Sequence, residues 1–289
     1  IYSVGKPGDL TYNYEILGDS SLDIKNLING KNDFSKKFLS SKKPLVIIGE
    51  SLLEIPSGQF IFEEMKEFLM NNNFINENWN ALNILLQNAS SVGCIDLNLL
   101  SYTEENNFIF FDKLLKKEFK LIYLLGSDNL KINKNNEFII YQGSHGDRGA
   151  EIADVILPSP AYTEQEGLYS NLEGRVQQCR KASYPTGEAL EDWKIFNLIS
   201  KNLDNNELIQ DYALLKKEAL EQIPSFSKID HLPNKKLNLN KKKNSVFTDQ
   251  VVNINIIDYY YTNAISRSSK TMAECRVVKN KTLKDGTNN

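Results

Sequence analysis

Apolar residues in this chain follow two rhythms. Short unbroken runs closed by glycine or proline alternate with longer stretches in which apolar positions fall three or four apart. KKPLVIIGE (42–50), KLIYLLGS (120–127), FIIYQG (138–143) and ADVILP (153–158) are of the first kind. Runs this short and this apolar suit strands buried on both faces, as in a parallel sheet. The second rhythm predicts helices. Ile61, Met65, Phe68 and Leu69 share one helical face. Leu82, Leu85, Leu86 and Ala89 would line a second helix, and Leu208, Tyr212, Leu215 and Ala219 a third. Glu191 and Asp192 suit the electropositive start of a helix, and Asp204 with Glu207 reads as a capping box. Strands and helices in this alternation predict an α/β domain over 1–230, with a mainly parallel sheet and flanking helices.

The ends of the chain read differently. Residues 1–30 form an irregular lead-in, with Gly5, Pro7 and Gly8 as breakers. Residues 231–250 are polar and Lys-rich, which predicts a linker. In the final segment, 251–289, a strand-like run at 251–257 gives way to a Ser-, Lys-, Asn- and Thr-rich tail expected to fray. The sequence opens on Ile1 rather than Met, as expected of a processed product or of part of a longer chain.

Composition narrows the function. A chain of 289 residues can bury a substantial core. Net charge is −3, so nothing draws the molecule as a whole to nucleic acid or anionic lipid. No apolar run approaches the ~20 residues of a membrane-spanning helix, so membrane association is expected only through partner proteins. Cys94, Cys179 and Cys275 lie far apart without a CxxC, whereas zinc and iron–sulfur sites need several thiolates, usually including a close pair. His145 and His231 are the only histidines, which excludes a His-rich metal site.

One stretch, 141–193, carries more. Gly143, Gly146 and Gly149 follow a strand at three-residue spacing. Such glycines can cradle a phosphate, but GxxGxxG is neither the dinucleotide fingerprint nor a P-loop, so a structural turn is the reading favoured. His145, Asp147, Arg148, Glu151 and Asp154 are dense enough for acid–base work; an ion-pair network fixing the loop is the plainer account. Glu164, Glu166, Glu173 and Arg175 raise the same choice, since Arg can hold a carboxylate through two hydrogen bonds.

The order ADVILP, then YTEQEGLYSNLEGRVQQ, resembles a stretch shared by the molybdopterin oxidoreductase superfamily. There a strand ADVxLP is followed by an acidic residue, a G-x-Y-x-N element and EGR-x-Q. The matching positions are Ala153 to Pro158, Glu164, Gly167, Tyr169, Asn171, Glu173, Gly174, Arg175 and Gln177. GSHGDRGAEIADVILP, the lead-in GDLTYNYEILGDS and the closing IIDYYYTNAISRSSKTMAEC resemble one branch, the C-terminal half of the largest iron–sulfur subunit of respiratory complex I. The resemblance implies a molybdopterin-oxidoreductase-like domain with a Rossmann-like subdomain, incomplete without its N-terminal half. It implies a cofactor-free scaffold with no catalytic, cofactor-binding or metal residue. Gly143, Gly146, Asp147, Gly149, Asp154, Asn171, Glu173, Gly174 and Arg175 would then be structural. Iron–sulfur clusters and FMN would reside in partner subunits: the cluster-bearing N-terminal half and other peripheral-arm subunits, on the matrix side of the mitochondrial inner membrane. Two other readings remain open on these residues. One is a fragment of a molybdopterin-dependent oxidoreductase, and the other a nucleotide-binding module built on the glycine loop.

Overall fold

The computed structural model describes residues 1–6, 12–89, 91–99, 109–130, 132–204, 209–233, 246–253 and 258–284. The chain divides into two compact units: Ile1–Val92 with Pro233–Ile256, and Gly93–Leu232 with Ile257–Asn289. Both late segments therefore return to earlier parts of the chain, which the expected 1–230 body followed by separate linker and tail did not include.

In the first unit, the described part of the expected irregular lead-in forms regular elements, and Pro7 and Gly8 lie outside the described residues. It holds β1 (Tyr2–Val4) paired in parallel with β2 (Glu15–Gly18), then α1 (Ser21–Ile28) and α2 (Asp33–Leu39). Ser20 and Asp23 form a capping box at the start of α1, and Asn32 caps α2. β3 (Val46–Gly49), α3 (Glu50–Leu53), α4 (Gly58–Asn71) and β4 (Leu82–Leu85) follow. The helical face expected at 61–69 exists: Ile61, Met65 and Leu69 are buried on α4.

The helix expected from Leu82, Leu85, Leu86 and Ala89 does not form. Leu82–Leu85 is instead a strand, parallel to β3 with Val46 opposite Leu82 and Ile48 opposite Ile84. A four-residue apolar run fits either period, and pairing with β3 decides it. β3 is also not buried on both faces. Ile48 enters the core, but Ile47 on the opposite face is 60% exposed.

The segment after the expected linker is tied down. Residues 234–245 lie outside the described residues, but 246–253 docks through buried serines. Ser21 N–H donates to the Gln250 carbonyl at 2.8 Å and Ser21 Oγ to the Thr248 carbonyl at 3.0 Å. Thr248 N–H donates to Ser57 Oγ at 3.0 Å, and Val252 N–H to the Asp19 carbonyl at 2.8 Å. Val252 is buried with Ile24, Leu27, Ile48, Ile61, Met65 and Leu69. Of the strand-like run expected at 251–257, Val251 bridges Ser20, and 254–257 lie outside the described residues.

In the second unit, α5 (Ser91–Asp96, where the two units divide) and α6 (Ile109–Leu115) precede a three-stranded parallel sheet, ordered β5 (Leu121–Leu125), β6 (Phe138–Gly143) and β7 (Val155–Pro158). The short α7 (Arg148–Ile152) connects β6 to β7. Ile122, Leu124, Ile139 and Tyr141 form the core on one face. The other face carries Tyr123 stacked on Phe196 at 5.7 Å and Gln142 donating to Asp192 at 2.6 Å. Asp192 opens α8 (Asp192–Asp204), as expected from its charge. Before it comes the antiparallel hairpin of β8 (Gly167–Ser170) and β9 (Val176–Cys179).

Asp204 ends α8 rather than capping a new helix. Glu207 and Leu208 lie outside the described residues. Asp211 caps α9 (Tyr212–Gln222), accepting Leu214 N–H at 2.8 Å. A 3-10 turn at Tyr259–Tyr261, α10 (Ala264–Ser268) and α11 (Lys270–Lys284) follow. The tail expected to fray is thus helical to Lys284, with Ser269 Oγ accepting Met272 N–H in its first turn. Among the described residues no helix is long and apolar enough to cross a membrane.

Leu69 is fully buried against α1 and β3 neighbours. Leu69→Ala is expected to cost about 2–5 kcal/mol through lost transfer energy and a residual cavity. A urea unfolding midpoint that follows the first unit checks it.

Candidate functional site

Parallel sheets bind ligands outside the carboxyl ends of their strands, where the loops converge. In the second unit that position is occupied by the chain itself. Asp128 follows β5, and the glycine loop 143–149 follows β6. Arg267 of α10 reaches both. Its Nη2 pairs with Asp128 Oδ1 at 2.9 Å, its Nε with Asp147 Oδ2 at 2.5 Å, and its Nη1 donates to the Tyr261 carbonyl at 3.2 Å. The Arg267 side chain is only 15% exposed. Each charged hydrogen bond of this kind contributes roughly 1.5–3 kcal/mol relative to losing it.

Asp147 serves two partners. One carboxylate oxygen accepts Arg148 N–H at 2.8 Å and caps α7, and the other takes Arg267. Burial pushes the Asp147 carboxyl up, but Arg267 and the Arg148 N–H outweigh it and hold the group below the usual carboxylate range. Tyr141 lies beneath, its hydroxyl donating to the His145 carbonyl at 3.0 Å. Burial, then the charges of Asp128 and Asp147, push its phenol up to about 12 against the opposing pull of Arg267.

The three glycines have different reasons. A Cβ at Gly143 would come within 2.2 Å of Tyr141 Oη, and one at Gly149 within 2.8 Å of both the Tyr141 ring and the Ser127 carbonyl. Both positions make room for the tyrosine. A Cβ at Gly146 would meet nothing within 4 Å. Nothing here resembles a phosphate cradle. The start of α7 is capped by a carboxylate, and two acids stand at the loop tips, where they would repel an anion.

The remaining motif residues separate into local roles. Asp154 pairs with Lys134 at 2.6 Å and accepts Ile139 N–H at 2.8 Å, which together hold it below the usual carboxylate range. Glu164 accepts Ala161 N–H at 3.0 Å. The Asn171 side chain accepts the N–H groups of Glu173 and Arg175, both at 3.0 Å, closing the β8–β9 turn; Gly174 takes the positive φ of 78° that the turn requires. Arg175 reaches the Asp230 carbonyl at 2.8 Å and Glu173 only loosely at 3.8 Å. His145 lies against Ser144 Oγ at 2.9 Å, and Arg148 meets the Arg267 cluster through its backbone N–H and its charge beside Asp147. The spacing of 141–193 contained no sign of Arg267 or Asp128. Among the described residues, no three His, Cys, Asp or Glu side chains are arranged to hold a metal ion.

Residues 1–202 match the family model described as molybdopterin oxidoreductase. The chain belongs to the molybdopterin oxidoreductase family. Residues 224–275 match a second model, that of the C-terminal part of the NADH-ubiquinone oxidoreductase G subunit. Over 95% of its length the chain is 40% identical to the NADH-ubiquinone oxidoreductase 75 kDa subunit of Reclinomonas americana. It is 35% identical over 96% of its length to the 78 kDa subunit of Neurospora crassa, and 33% identical over 94% to the NADH-quinone oxidoreductase G subunit of Rickettsia bellii. It covers 40%, 37% and 38% of those relatives, about two fifths of each. In this molybdopterin oxidoreductase domain, Asp128 and Asp147 lie in the first matched segment and Arg267 in the second. The cluster is therefore one place where the two segments meet; Arg175 with the Asp230 carbonyl, and Ser21 and Ser57 with 248–250, are others.

Two outcomes follow from this geometry. Gly149→Ala is expected to destabilise by about 1–3 kcal/mol through overpacking against backbone and ring, and Gly146→Ala by less than ~0.5 kcal/mol, measured by chemical unfolding. The Asp147 stabilisation is fully present above the unfolded carboxylate value of about 3.9 and is lost as pH falls through its lower folded value. Urea midpoints should therefore drop below about pH 4, and Asp147→Asn should flatten that acid limb.

Proposed function

We propose that this chain is the C-terminal half of the largest iron–sulfur subunit of NADH:ubiquinone oxidoreductase, respiratory complex I, and serves there as a cofactor-free scaffold of the peripheral arm. The observation that carries this is the succession of two matches in one chain, molybdopterin oxidoreductase over 1–202 and the C-terminal part of the NADH-ubiquinone oxidoreductase G subunit over 224–275, with Arg267 of the second paired to Asp128 and Asp147 of the first. On this reading iron–sulfur clusters and FMN belong to partner subunits, electrons pass outside this chain, and the complex sits on the matrix side of the mitochondrial inner membrane. The scattered cysteines and the carboxylate-lined loop support the absence of a cofactor here. The residues Gly143, Asp147, Gly149, Asp154, Asn171, Glu173, Gly174 and Arg175 act by fixing loops, and Gly146 is a turn position.

The sheets also support a partner. A parallel sheet is normally covered on both faces. Here Leu45, Ile47 and Leu85 lie exposed around β3 and β4, and Leu121, Leu125 and Phe138 on β5 and β6 are each close to half exposed. Apolar residues grouped in this way mark interaction surfaces. The cluster-bearing N-terminal half and neighbouring peripheral-arm subunits are the partners this reading supplies.

Native electrophoresis of a gentle detergent extract tests the proposal. The chain is expected to comigrate with NADH dehydrogenase activity in a large assembly. A lone species near 33.0 kDa that never comigrates with that activity would refute it. Stoichiometric molybdenum or pterin on the chain would instead favour a molybdopterin-dependent enzyme.

A further inference from the structure

Residues 258–284 reach the strand ends of the sheet through the ion pairs of Arg267, and each side of that contact has its own local bonds. On the sheet side, Asp147 is fixed by the Arg148 N–H. Gly149 N–H donates to the Asp128 backbone carbonyl at 3.2 Å, and Tyr141 holds the His145 carbonyl. On the segment side, a capping box of Asn263 and Ser266 sets α10 and so aims Arg267. Asp258 caps the 3-10 turn and pairs with Arg276, which lies over the Tyr261 ring at 4.7 Å. Tyr259, Val277 and Val278 are all more than half exposed, while Tyr260, Tyr261, Ile265 and Met272 are partly buried.

We propose that 258–284 is a clasp: a detachable strap whose Arg267 is the ligand of a two-carboxylate socket at the carboxyl ends of β5 and β6, a socket that selects guanidinium. The selection is geometric. Asp128, Asp147 and the Tyr261 carbonyl each take a different nitrogen of one planar group. A guanidinium presents its donors as a rigid fork, whereas an ammonium offers a single nitrogen that cannot reach all three. Two carboxylates likewise exclude phosphate or any other anion. Closure holds the strap on the sheet, and opening would free the strap while leaving the β6 core folded, since local openings proceed independently of the buried strands.

Hydrogen exchange of the full chain, read segment by segment, tests this. Arg267→Ala and Arg267→Lys are both expected to speed exchange in 258–284 by ~10-fold or more, with β6 unchanged. Methylguanidinium added to Arg267→Ala should slow exchange again at 126–128 and 143–149 but not in the untethered strap, and methylammonium at equal concentration should not. Asp128→Asn keeps the shape of the socket and removes one charge, which covers the case in which Arg267→Ala disturbs the fold. It should speed 258–284 while β6 stays protected. Wild-type protection in Arg267→Lys, unchanged 258–284 exchange in Asp128→Asn, or equal rescue by the two cations would overturn the proposal.

Discussion

The guanidinium of Arg267 fastens the late part of the second unit to the strand ends of its sheet. Its charge is needed there. Asp128 and Asp147 stand on neighbouring loops, each largely withdrawn from water, and without a cation between them they would repel each other. The same two charges, with burial, keep Tyr141 protonated far beyond its usual range, and Tyr141 in turn packs the loop through Gly143 and Gly149. Sheet end, glycine loop and C-terminal segment are therefore coupled through four side chains: Arg267, Asp128, Asp147 and Tyr141. A doubly wound sheet usually offers its ligands this edge; here the edge holds an internal cation.

A second constraint is the covering of parallel strands. Each unit has one sheet face packed into a core and one left with leucines, isoleucines or phenylalanine in the open. In the second unit α8 covers part of the open face through Phe196 and Asp192, and Gln142 and Tyr123 answer it with stacking and hydrogen bonds. The rest remains apolar and bare. The chain spans only about two fifths of its relatives' length.

The first unit shows another way of completing a core. Ser21 and Ser57 are wholly buried, yet their hydroxyls have partners: backbone groups of 248–250. A buried hydroxyl without a partner is costly. These serines therefore fix the path of a segment more than 190 positions away, which explains why a polar, Lys-rich stretch ends in an ordered strap with Val252 in the core.

Much of the architecture was legible in the sequence because its cause is local. The strands at 121–125, 138–143 and 155–158 announce themselves by apolar runs closed by Gly or Pro, and α4 by a stripe of apolar residues on one face. The motif residues at 153–177 also sufficed to indicate the family, since they occur together in a fixed order. Tertiary structure decided the rest. Leu82–Leu85 became a strand only because β3 lay beside it, as four apolar residues fit either period. The tail docks at the strand ends because Arg267 finds two carboxylates 120 and 139 positions earlier. An isolated arginine in a polar segment looks the same whether it is solvated or clasped, and only the folded chain brings Asp128 and Asp147 to it.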